Sequence, residues 1–210
     1  MWTLISTEVK IENIFSTPIY ISKIEIENLN FDGFKMVKAG RTANHVYASE
    51  DQQVLKKAKF KKLENEIDQH MRHFYYNVLQ YADNTYPEMS TSWMVQSSQN
   101  EQSDWHEHFN SIFSGVFYLN VPNNSGNITF SLTSYDDRKL IRVLNPEIQT
   151  ENPYNTRLYS VTPQDNTVII FPSSLRHKVE RNCSNQKRVS IAFNYFIKGD
   201  FLSHTANLSI

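Results

Sequence analysis

A change of period at residue 91 restricts this chain more than any other feature. From there to residue 198 apolar side chains recur at every second position, in short runs separated by turn-forming sequences such as Pro122-Asn123-Asn124-Ser125-Gly126. A period of two is the spacing of residues along one face of a strand. Runs near 91–98, 112–120, 126–132, 157–162, 166–171 and 187–197 therefore read as strands. Many short strands in succession must pair into a sandwich, a jelly roll or a barrel, where each apolar face finds another to cover it. Residues 133–156 form a polar insertion with Asp136, Asp137, Arg138, Pro146 and Pro153, of a length typical of lids and binding loops.

The first ninety residues have a different texture. Residues 8–26 alternate around Ile11, Ile14, Ile19, Ile21, Ile24 and Ile26, which predicts one or two strands with Pro18 at an edge or a start. Residues 28–48, with Gly33 and Gly40, show no period and read as loop. Across 50–82, Val54, Leu55, Ala58, Leu63, Ile67, Met71, Phe74, Val78, Leu79 and Ala82 build one apolar stripe at helical spacing. Ser49 and Gln52 fit a capping box, and the sequence Asp83 to Pro87 ends the helix. The prediction is one long helix bracing the sheet. The lysines at 56, 57, 59, 61 and 62 read as a solvated helix face, because Glu64, Glu66 and Asp68 follow at once.

Composition sets the outer limits. A chain of 210 residues, 40% hydrophobic, suits one domain over 1–210: strands and a helix in 1–90, and a β core in 91–198. A formal net charge of -1 argues against binding duplex DNA through bulk charge. No apolar run reaches the length of a membrane-spanning helix, and Met1-Trp2-Thr3-Leu4-Ile5 lacks the marks of a signal peptide. The single cysteine, Cys183, leaves no internal disulfide and no cysteine-based zinc motif. The sequons at Asn123, Asn127, Asn182 and Asn207 then read as chance matches in an Asn-rich chain. The expectation is a cytoplasmic protein, with the long helix available as a homodimer face.

Four segments carry chemistry. In Asp104-Trp105-His106-Glu107-His108-Phe109-Asn110, an extended backbone turns His106 and His108 to one side, where two imidazoles can reach one metal ion. An H-x-H pair by itself is more often an exposed or core pair than a metal site. Asp104 shares that parity and is a candidate partner for an imidazole N–H, or a ligand in another register; Glu107 points the other way. His177 follows the strand Thr167–Phe171 and the turn Pro172-Ser173-Ser174, positioned to join two ligands from another strand or to be satisfied by backbone groups. In Arg188–Asn194, one face holds Val189, Ile191 and Phe193, and the other holds Arg188, Ser190, Ala192 and Asn194. An arginine among small residues leaves room for a carboxylate, though a surface ion pair would look the same in sequence. In Ser114–Tyr118, Tyr118 shares a face with Ser114 and Val116 and can offer its hydroxyl to the same anion or to the backbone. His45, His70, His73 and His204 have no comparable neighbourhood.

In that order and at that spacing, the four segments resemble the Fe(II)/2-oxoglutarate-dependent oxygenases, in particular the small bacterial and phage group near the prolyl hydroxylases. The resemblance covers 91–197 well and 1–90 in outline. It implies a mainly β double-stranded β-helix, or jelly roll. It implies Fe(II) held by His106, His108 and His177, with 2-oxoglutarate gripped through its distal carboxylate by Arg188 and Tyr118. Asn110, Ser190 and Asn194 are further candidates to orient the co-substrate. The implied reaction couples oxidative decarboxylation of 2-oxoglutarate to oxidation of a substrate by O2, as in a hydroxylase. Most of the superfamily carries a carboxylate where His108 stands. A third imidazole leaves the metal one unit more positive, and three-histidine sites also serve thiol dioxygenases and zinc enzymes. Two alternatives therefore stay open: a three-histidine metalloenzyme that does not use 2-oxoglutarate, and a non-catalytic jelly-roll binding or structural module. The substrate is not encoded in any motif.

Overall fold

The computed structural model describes residues 10–12, 14, 16–27, 29–40, 42–131, 147–202 and 207–210. Eleven strands and one α-helix are seen among them, in the order β1 (Tyr20–Lys23), β2 (Met36–Lys38), β3 (Tyr47–Ser49), α1 (Lys61–His73), β4 (Thr85–Ser97), β5 (Phe113–Asn120), β6 (Ile128–Ser131), β7 (Leu158–Val161), β8 (Thr167–Pro172), β9 (His177–Val179), β10 (Arg188–Phe201) and β11 (Leu208–Ser209). The major sheet runs β1-β8-β5-β10-β4-β3-β2, with β11 added to β10, and the minor sheet runs β7-β6-β9. Every pairing between these strands is antiparallel. Two antiparallel sheets form the jelly roll that the resemblance implied, one of the three arrangements that the alternation allowed. Most of the insertion, 132–146, and His204 lie outside the described residues.

Strand β10 is the spine of the molecule, paired to β4 on one side and β5 on the other. Its parity divides the interior in two. Val189, Ile191, Phe193 and Tyr195 face α1 and join Phe113, Phe117 and Met94 in the larger core. The helix supplies Leu63, Ile67 and Met71 to the same core, each fully buried. On the opposite face Ser190 stands across from Tyr118 and from Val95, and Ala192 across from Val116 and Trp93. That face looks toward the minor sheet, where Tyr118, Ile128, Phe130, Ile169 and Phe171 form a second, smaller core.

The N-terminal half departs from its sequence reading in instructive ways. The 50–82 stripe is not one helix. Two short 3₁₀ turns (Val54–Lys56 and Ala58–Phe60) precede α1, and a π-helical turn (Phe74–Val78) follows it. The entry to the stripe runs along the edge of β4 instead: Ser92 N–H donates to Gln52 O at 2.9 Å, and Leu55 N–H donates to Ser92 Oγ at 2.9 Å. Ser49 is no helix cap. It ends β3, and its hydroxyl accepts from Met94 N–H at 3.0 Å. The 28–48 region contains β2 and β3, and β4 begins at Thr85, six residues before the period changes. Tertiary pairing to a free strand edge overrides local helical spacing here. Among the described residues no helix is long and apolar enough to cross a membrane.

Candidate active site

The smaller face of β10 opens into a cavity of about 340 Å³ between the two sheets. Its walls include His106, His108 and His177, the far-end pair Arg188 and Tyr118, and small or apolar residues such as Ala48, Trp93 and Val116. The size falls within the range of small-molecule sites.

The three histidines meet because two backbone segments cross-brace each other. His106 N–H donates to His177 O at 2.9 Å, and His177 N–H returns the bond to His106 O at 3.0 Å. His108 N–H donates to Ser173 O at 3.0 Å, which ties the second member of the H-x-H pair to the turn before β9. Their ligand nitrogens all lie within 4.8 Å of one another. Ring orientation is set by the backbone as well. His106 Nδ1 lies 2.8 Å from Asp104 O, and His177 Nδ1 lies 2.9 Å from Leu175 O. A carbonyl only accepts, so both Nδ1 atoms carry the proton and both Nε2 atoms keep a lone pair. This is the state a metal requires.

Electrostatics favour the same state. Burial pushes the His177 pKa down to about 3, helped by His106, and the His108 pKa down to about 4, again chiefly by burial with His106 adding. His106 is lowered too, first by burial. Three imidazoles whose neutral forms are favoured, and whose ligand nitrogens lie within 4.8 Å of one another, form a donor set for a divalent transition metal such as iron or zinc.

At the other end lies Arg188, only 3% exposed. One of its nitrogens, NH1, donates to Ser125 O at 2.6 Å and to Gly126 O at 3.2 Å. Gly126 makes this anchor possible: its φ of +87° suits glycine, and a Cβ there would sit 2.6 Å from Glu180 O. No carboxylate among the described residues pairs with this arginine. Tyr118 is 1% exposed, and burial raises its phenol to about 12 while the Arg188 charge pulls the other way. A buried, unpaired guanidinium beside a protonated phenol is a cradle for an anion. The residues present therefore fit a metal at one end and a carboxylate at the other.

The remaining candidates divide. Ser190 lines the cavity between Tyr118 and Val95. Asp104 also lines it, but its backbone carbonyl rather than its carboxylate holds His106. Asn194 is not on the wall: its side chain accepts from Ser114 Oγ at 2.8 Å and donates to Thr91 at 3.3 Å, bracing β10 between β5 and β4. Asn110 is exposed with φ +57°, a turn-former after the H-x-H segment and not a cavity residue. His45 went unrecognised in the sequence, yet it lines the cavity. No local motif marks it, since only the pairing of residues 44–46 with Gln102 brings it there.

Comparison with known proteins agrees with this geometry. Residues 91–194 match the model of a family described as "Putative 2OG-Fe(II) oxygenase". No curated protein matches the chain in sequence. Among solved structures, a 2OG-Fe(II) oxygenase family oxidoreductase from Burkholderia pseudomallei superposes with a TM-score of 0.53 at 15% identity, covering 78% of this chain and 72% of that one. HygX from Streptomyces hygroscopicus, with nickel, 2-oxoglutarate and hygromycin B bound, gives 0.53 at 11% identity, covering 85% and 82%. A Pseudomonas putida prolyl-4-hydroxylase gives 0.50 at 12% identity, covering 77% of each chain. By sequence over 91–194, the segment that carries the three histidines, Tyr118 and Arg188, and by fold over most of its length, the chain belongs to the Fe(II)/2-oxoglutarate-dependent oxygenase superfamily, a family of oxidoreductases whose cofactors are those two.

Proposed function

We propose that this protein is a 2-oxoglutarate-dependent dioxygenase that hydroxylates a small substrate, with Fe(II) held by His106, His108 and His177. Bound there, iron and 2-oxoglutarate supply the oxidising chemistry, coupling decarboxylation of the co-substrate to oxidation of a substrate carbon by O2. The residues of the chain do the rest. The Nδ1 protons of His106 and His177, fixed on Asp104 O and Leu175 O, keep both rings aimed and basic at Nε2. Arg188 receives the distal carboxylate, and Tyr118 donates its hydroxyl proton as a second hydrogen bond. Ser190 lines the same cavity, across from Tyr118. The apolar walls, among them Trp93, Val95 and Val116, exclude water from the reacting centre.

The observation that carries this reading is the unpaired cation at Arg188. A guanidinium 3% exposed with no carboxylate partner among the described residues is costly unless an anion completes it. A three-histidine enzyme that did not use 2-oxoglutarate would use Arg188 for a carboxylate on its own substrate, so the co-substrate itself has to be tested. The test is turnover of 2-oxoglutarate to succinate and CO2 by the iron-loaded protein. The reading expects slow succinate release without added substrate, absent from the His177→Ala protein. Full iron binding with no succinate release would favour the metalloenzyme alternative.

A further inference from the structure

We infer that His45, carried by the β2–β3 arm, donates a hydrogen bond to the exogenous ligand on the open side of the three-histidine site. The inference rests on the metal-site reading above and adds to it a residue from outside the matched region 91–194.

The arm puts Ala39, His45, Val46 and Ala48 on the cavity wall, and only His45 has a polar side chain. Its backbone is stitched to the segment that leads from β4 to the metal residues: Gln102 N–H donates to Asn44 O at 2.8 Å, and Val46 N–H donates to Gln102 O at 3.1 Å. Its ring lies flat against Gly40, where a Cβ would come within 2.1 Å of Cδ2, so the ring position is built into the arm. It lies near enough to His106 to help lower that ring's pKa, yet it stands outside the cluster of three ligand nitrogens. Its Nδ1 makes one long contact, 3.5 Å to Val46 O, too weak to fix the proton on that nitrogen. His45 therefore has a ring proton to donate into the cavity without being a ligand. Its partner is an anionic or carbonyl oxygen, or another small anion, bound at the remaining coordination positions.

Azide is the probe, titrated into the Co(II)-loaded full chain at fixed neutral pH and followed by visible absorption. A hydrogen bond to a charged acceptor predicts azide binding about tenfold weaker in His45→Ala, with Co(II) affinity unchanged. His45→Gln, which keeps a neutral donor, restores most of the affinity. Gly40→Ala leaves the imidazole in the chain but pushes it off its seat, and it weakens azide binding in the same direction. Equal azide affinity in His45→Ala and the unsubstituted protein overturns the inference. So does a loss of Co(II) affinity in His45→Ala, which would make His45 a fourth ligand. Failure of the unsubstituted protein to bind Co(II) would instead overturn the three-histidine metal site itself, and the inference with it.

Discussion

The two faces of β10 differ in what they leave undone. On the α1 face, Val189, Ile191, Phe193 and Tyr195 pack against helix and sheet with no residue more than 5% exposed. On the cavity face, the same strand shows Arg188, Ser190 and Ala192, a cation and two small side chains, opposite Tyr118, Val116 and Trp93. One face is finished by the protein itself. The other lines the cavity with a buried guanidinium that has no carboxylate partner among the described residues, and shares that cavity with three imidazoles whose ligand nitrogens lie within 4.8 Å of one another. The first is stabilised by packing and the second lines the candidate site; the strand's period of two keeps the two jobs apart.

Substitutions on the two faces should therefore separate binding from stability. The largest effect is expected for Arg188→Ala. Removing the buried partner of a carboxylate costs about 3–5 kcal/mol, so 2-oxoglutarate affinity should fall at least a hundredfold by calorimetry. Co(II) affinity should stay level, and folding stability should hold or rise because an unpaired buried charge is gone. Phe193→Ala is the mirror experiment. It opens a cavity in the larger core and should cost about 3–5 kcal/mol in urea unfolding, with ligand affinities in the folded protein little changed. If Arg188→Ala destabilised the fold as much as Phe193→Ala, the division between faces would be wrong.

The pH dependence of the metal-free protein sharpens the contrast. His177 and His108 are held neutral when folded, near 3 and 4, while an unfolded chain protonates them near the usual histidine value. Folded pKa values below unfolded ones mean that their contribution is fully present above about pH 6.5. It is lost progressively as pH falls toward the folded values. Urea midpoints should thus drop between roughly pH 6.5 and 4, and the drop should shrink in His177→Gln. An equal slope in His177→Gln would show that the histidines are not the source. The smallest expected effect is Tyr118→Phe, which removes one hydrogen bond to the co-substrate and should weaken 2-oxoglutarate about fivefold to tenfold. Unchanged affinity would leave Arg188 to act alone.

Much of the cavity side was legible in the sequence, because strand parity is a local property. His106 with His108, Tyr118 with Val116, and Arg188 with Ser190 all share a face by counting alone, and the structure keeps each on the cavity wall. What could not be read depends on partners distant in sequence. The stripe at 50–60 has helical spacing but adopts 3₁₀ turns, because β4 presents Ser92 to Gln52 and Leu55. Asn194 has the right parity, yet Ser114 and Thr91 claim its amide. Asn110 continues the parity of His108 only until the backbone turns at its own positive φ. His45 is visible only once residues 44–46 are seen beside Gln102.

If one cavity holds both a metal on three imidazoles and a keto acid anchored at Arg188, the two must meet in solution. The experiment is an anaerobic titration: Fe(II) added to the metal-free protein, then 2-oxoglutarate, followed by visible absorption. A weak new band is expected that needs both additions, and that needs far more 2-oxoglutarate in the Arg188→Ala protein. Iron binding with no such band at any 2-oxoglutarate concentration would contradict the shared site.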